Sequence, residues 1–183
     1  MRSRRRNRTE DAVPDAVQAA AALAAHLQGG GDLLPVHVDG LALVDGELAF
    51  ADVTCAAARF YGTDVVYPSS TSGYFEDHPT FGRRWVANSR LDARRRREAE
   101  DAALPQWRDH TMTRVVLTSI GVRLLPVGSR DWMPFDHTLL TGITHEQSAV
   151  LLSYSVCAPL FLSGPAAPWL GTAIGHLRGS DSA

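Results

Sequence analysis

Four consecutive arginines, Arg94-Arg95-Arg96-Arg97, form the densest chemical feature of this 183-residue chain. Guanidinium groups bind phosphates and carboxylates through paired hydrogen bonds. Consecutive helical residues, however, point around most of the circumference, so such a run makes no single binding stripe. Glu98, Glu100 and Asp101 stand four residues after Arg94, Arg96 and Arg97, the spacing at which helical charges pair. A solvated, self-paired helix is therefore the favoured reading, and an anion-binding patch the competing one. Trp107-Arg108 follows. An exposed Trp beside an Arg suits a protein partner, whereas a Trp next to a helix stop at Pro105 more often anchors that helix through buried area. Arg94, Arg95, Arg96, Arg97, Trp107 and Arg108 are the candidate residues for binding a partner or an anion.

A second basic cluster, Arg2, Arg4, Arg5, Arg6 and Arg8, opens the chain. No aromatic residue interleaves with it, so it offers no stacking platform for bases, and a solubilising arm is favoured over a nucleic-acid or lipid contact. All 18 basic residues are arginine, and the net charge is −2. That balance provides no global field toward nucleic acid or membrane. Between Glu10 and Arg83 the only cation is Arg59, too few for a site that takes several phosphates.

Enzyme chemistry finds little footing. The absence of lysine excludes a Walker-type phosphate loop, and neither a GxSxG elbow nor an HExxH helix occurs. The adjacent pairs Asp77-His78, Asp109-His110 and Asp136-His137 fall in segments where neighbours face opposite ways. They are read as surface or capping histidines, with a loop meeting of Glu76, Asp77 and His78 with His110 or His137 as the remote alternative. The two cysteines, Cys55 and Cys157, lie in apolar runs and are expected to be buried, reduced thiols. No metal, cofactor or catalytic residue is expected.

The elements that must position these groups follow from periodicity. Residues 1–13 are expected to be a disordered basic arm. Pro14 opens a weakly amphipathic helix over 14–28, ended by Gly29-Gly30-Gly31. Leu41–Val44 and the run from Leu48 flank Asp45-Gly46, a hairpin signal. Residues 62–82 read as an exposed loop and 83–104 as a helix stopped by Pro105, together an insertion over about 62–112. From residue 111 the runs Val115–Thr118, Val122–Leu125, Trp132–Phe135, Leu139–Ile143, Ala149–Tyr154 and Pro159–Leu162 predict an antiparallel meander. Gly164-Pro165 starts a final helix whose Leu170, Ala173, Ile174 and Leu177 need a sheet to cover. No apolar run reaches the length of a membrane span, and the acids at Glu10, Asp11 and Asp15 break any signal-peptide pattern. A cytoplasmic protein is expected.

The order of these parts resembles bacterial pleckstrin-homology-like and GRAM-like domains. Asp45-Gly46-Glu47 precedes a long strand, Leu117-Thr118 sits early in the meander, Trp132 marks a later strand, and one helix closes the chain. Arg59-Phe60-Tyr61-Gly62, Pro105-Gln106-Trp107-Arg108-Asp109 and Gly164-Pro165-Ala166 are similar to segments of actinobacterial proteins of that group. The resemblance covers about residues 40–178. It implies an α+β, mostly β fold: an antiparallel barrel or sheet over 32–179, capped by the C-terminal amphipathic helix and followed by a short tail. It also implies a non-enzymatic module that binds protein or peptide. The alternatives are an arginine-mediated binder of anionic surfaces, whether nucleic acid or lipid headgroups, and a hydrolase without a recognisable motif.

Overall fold

The computed structural model describes residues 3–69, 72–80 and 82–180, excepting the side chains of 3–14 and 180. Two units can be described separately, one of residues 1–60 and 107–183, the other of residues 61–106.

The larger unit is built on a seven-stranded antiparallel sheet. Its strands are β1 (Ala49–Tyr61), β4 (Gln106–Thr118), β5 (Gly121–Pro126), β6 (Met133–Asp136), β7 (Leu140–Glu146), β8 (Ala149–Tyr154) and β9 (Leu160–Ser163), in the order β6-β5-β4-β1-β9-β8-β7. The runs of alternating apolar residues after residue 111 become these strands because every second side chain must leave water. The long β1 stands at the centre with three strands on either side, pairing Ala57 with Leu162 and Arg59 with Leu160 of β9. The edges β6 and β7 remain the ends of one open sheet, so the described residues form no closed barrel, and the barrel expectation is corrected to a sheet. Closure needs a ladder between β6 and β7, and the turn His137–Leu139 connects them instead.

Helix α3 (Ala167–Ser180) covers the inner face. Ala167, Leu170, Ala173 and Ile174 are fully buried in one cluster with Leu117, Val122, Leu124, Val150, Leu152, Leu160 and Leu162. The helix α1 (Ser3–Gln28) packs on α3, with Ala16 buried and Leu23 reaching the core. It starts at Ser3, not at Pro14, so the segment expected to be a disordered arm is helical from residue 3; residues 1–2 lie outside the described residues. No helix among the described residues is long and apolar enough to cross a membrane.

Residues 32–48 form no strand. Asp45-Gly46 makes the expected turn, with Gly46 at φ 82°, but Leu41–Val44 runs as irregular chain. Val38 is buried against Ala49 and Val116, with Leu41 and Trp132 beside them, and the Trp132 indole donates to the Gly40 carbonyl at 2.9 Å. The turn delivers Glu47 into the protein. Its carboxylate accepts from the Val44 amide at 3.0 Å and from Arg123 at 3.1 Å, and Arg123 also donates to Asp136 at 3.1 Å. Burial alone would raise the Glu47 pKa. Hydrogen bonds from Thr118 and Val44 and the charge of Arg123 outweigh it and hold the group below its ordinary value.

The smaller unit corrects the reading of residues 62–88. A hairpin of β2 (Gly73–His78) and β3 (Gly82–Ala87) replaces the expected loop and the first turn of the expected helix. Cross-strand pairs account for it: Phe75 meets Trp85 with centroids 5.1 Å apart, and Arg84 bonds Glu76 at 3.0 Å. Helix α2 (Ser89–Ala103) begins where the Asn88 side chain accepts from the Leu91 amide, a side-chain cap of the usual kind.

Candidate functional site

Arg94–Arg97 lie on α2, which has no buried residue. Arg94 pairs with Glu98 at 2.7 Å, with 75% and 57% of their side chains exposed. Arg95 donates to the Ser72 hydroxyl. Arg97 shares a shallow groove with Glu98 and Asp101, and Arg96 shares another with Glu100 and Tyr67. Of the three expected arginine–acid pairs, Arg94–Glu98 is the one at ion-pair distance among the described residues. Both grooves that Arg94, Arg96 and Arg97 line also carry acids, so neither is a purely positive patch. Changing all four arginines to glutamine is expected to shift stability by less than about 1 kcal/mol, read from the denaturant midpoint. A larger loss would show that the helix depends on these charges.

Trp107 and Arg108 lie on β4, in the sheet unit, so the six expected residues do not form one site within either unit. The Trp107 ring packs against Phe60 and Phe161, each at 5.2 Å between centroids. It works as an anchor between β4, β1 and β9 and keeps 38% of its surface exposed. Arg108 is half-buried beside it.

Of the Asp-His pairs, Asp136 and His137 turn to different partners, whereas Asp109 and His110 line one pocket. His137 is buried, with its Nε2 3.1 Å from the Thr118 carbonyl, and its neighbour Asp136 bonds Arg123. Among the described residues no group of His, Cys, Asp and Glu is placed to hold a metal. Cys55 is buried and its thiol is pushed up to about 11 by desolvation. Cys157 is only half-buried, less enclosed than its apolar run suggested.

The feature best suited to hold a ligand was not among the expected residues. A pocket of about 340 Å³ opens on the inner sheet face. Its floor is Thr113, Leu124 and Leu160, all at most 1% exposed. Ala57, Pro126 and Met133 complete the apolar wall, and no residue of α3 takes part. The polar groups are Arg59 and Thr111 inside, with Asp109 and His110 on exposed backbone at the rim. Alternation along β1 puts Arg59 on the same face as Cys55 and Ala57, and β4 likewise puts Thr111 with Thr113, Val115 and Leu117. Asp109 is the one non-glycine residue with positive φ among those described, at 56°. Asp tolerates that conformation better than most residues.

Arg59 is distinguished by what it lacks. Arg114 on β4 is answered by both oxygens of Asp52, at 2.8 and 2.5 Å, and Arg123 on β5 by Glu47 and Asp136. The Arg59 Nε is buried with no hydrogen-bond partner. The signal in the sequence is a lone arginine at the inward register of a small-residue strand. Counting it only as one cation too few for phosphates hid it.

No family model matches this chain, and no curated protein is significantly similar to it.

Proposed function

We propose that this chain is a non-enzymatic binding module of the pleckstrin-homology-like kind, which receives a peptide segment of a partner protein in the pocket on its inner sheet face. Two antiparallel runs that share β1, followed by a single covering helix, support the kinship. The observation that carries the reading is the pocket itself, which is concave, mostly apolar and furnished with a few polar groups, as ligand sites usually are. The arginine-based alternative, binding of anionic surfaces, is disfavoured by the acids interleaved on α2. A hydrolase has less support still. The pocket hydroxyls Thr111 and Thr113 donate to the backbone carbonyls of Met112 and Arg114, an arrangement that activates neither as a nucleophile.

The test is selection from a random peptide display library, followed by binding to the wild type and to Thr111→Trp, which fills the pocket from its half-buried wall. Selected peptides should bind the wild type and lose most of their affinity for the variant. Equal binding to both would place the site elsewhere. Loss of affinity with salt as steep as counterion release gives, unaffected by the pocket variant, would favour the anionic-surface reading.

A further inference from the structure

We infer that the pocket selects a carboxylate carried on an apolar body, as at the end of a peptide whose last residue is aliphatic, and that Arg59 is the anchor of that carboxylate. The inference rests on the peptide-binding reading above and names the ligand's chemistry.

Three observations converge. Arg59 lines the pocket, and its Nε lies buried without a partner. A buried donor with no acceptor is costly, and in a guanidinium the missing acceptor is best replaced by an anion held side-on. Arg114 and Arg123, on neighbouring strands of the same sheet, already have their carboxylates, which sets the Nε of Arg59 apart from them. Next, the charge is single. One guanidinium matches a monoanion, whereas phosphate groups draw on several cations and amides. Finally, the surroundings are hydrocarbon. Ala57, Leu124, Met133 and Leu160 offer the body of the ligand an apolar contact within the same pocket, whose 340 Å³ lies at the small end of ligand sites. Asp109 carries the opposing charge, but it sits on exposed backbone at the rim, where water and salt screen it.

The experiment titrates the full chain with small probes, following amide shifts by NMR. N-acetyl-leucine presents the carboxylate and the aliphatic body; N-acetyl-leucinamide keeps the body and removes the charge; leucinamide reverses the charge. N-acetyl-leucine, with about a dozen heavy atoms, should bind with a Kd in the millimolar range and about tenfold or more tighter than either amide, the worth of a charge-assisted hydrogen bond. Arg59→Met should abolish that preference while leaving the fold intact, and Asp109→Asn should bind N-acetyl-leucine at least as well as the wild type. Equal binding of the acid and the neutral amide overturns the carboxylate inference and leaves the peptide reading standing. Tighter binding of leucinamide overturns it in favour of Asp109. Inorganic phosphate displacing N-acetyl-leucine at equal concentration also overturns it. Hexanoate serves as the free-acid arm: if it binds much more tightly than N-acetyl-leucine, the carboxylate inference holds and the peptide reading fails. The comparison of probes on the wild type decides the matter even if Arg59→Met does not fold.

Discussion

Arg123→Met is expected to destabilise the protein by about 3–5 kcal/mol, the usual consequence of stranding one member of a buried ion pair. The stranded group is Glu47, whose side chain is 2% exposed, while Arg123 itself is 12% exposed. Asp136 at the end of the triad is 47% exposed and can return to water. Replacing both buried partners, as Glu47→Leu with Arg123→Met, should recover most of the loss, because apolar groups of similar size need no partner. A double-mutant cycle from urea midpoints measures the coupling, and additive single effects would refute the pairing. The same pair sets an acid limit. Because the folded state holds the Glu47 pKa below its ordinary value of 4.5, its contribution is complete above that value. It is lost as pH falls through the lower, folded-state pKa. The wild type should therefore lose stability on acidification by more than Arg123→Met does, and an equal loss in both would contradict this.

Ending the chain before Ser163 should abolish folding altogether. The truncation removes α3, which covers Val150, Leu152, Leu160 and Leu162, each at most 1% exposed. An open sheet with that face in water lacks a second layer to bury it. The graded version is Ile174→Ala or Leu170→Ala, each expected to cost about 2–5 kcal/mol through lost burial and a residual cavity. Circular dichroism and a denaturation curve on the truncated chain decide the point. A cooperative transition in the truncated chain would show that α3 is an accessory.

The meander and its covering helix were legible because both obey a single period over a sufficient length. Leu117, Val122, Leu124, Leu152 and Leu162 fall at inward positions of the strands where alternation puts them, and Leu170, Ala173 and Ile174 form the buried face of α3 as helical spacing requires. The β2–β3 hairpin was missed because Gly73–His78 sets two aromatics side by side and then two acids, with no alternation and no buried face, leaving little hydrophobic pattern to read. What stabilises it is pairing across the turn, Phe75 with Trp85 and Glu76 with Arg84, and such pairs join residues that no local window compares. The openness of the sheet was hidden for a related reason. β6 and β7 follow one another across only three residues, yet both strands look alike in sequence whether paired on one side or two. Glu47 illustrates partial legibility: its place after Asp45-Gly46 marked a strand entry, but its role as a buried partner of Arg123 depends on a residue 76 positions away.

The candidate site was legible to a lesser degree. The arginine run drew the reading to α2 because charge density is conspicuous, yet Arg94 is the one of the four at ion-pair distance from an acid among the described residues. Arg59 is inconspicuous because its significance lies in a missing partner, which only the folded arrangement of β1, β4, β5 and β9 reveals. Trp107 was expected to anchor the preceding helix through buried area; its ring contacts are instead Phe60 and Phe161 of the sheet, and 38% of its surface is exposed.

The central claim is that ligand enters the inner-face pocket and leaves the arginines of α2 untouched. The most direct measurement is an amide chemical-shift map of the labelled full chain titrated with a display-selected peptide. The account predicts saturable shifts at Ala57, Ala58, Arg59, Thr111, Thr113 and Leu160, with Arg94–Arg97 unmoved. Shifts confined to Arg94–Arg97, or a peptide that binds while the pocket amides stay in place, would contradict it.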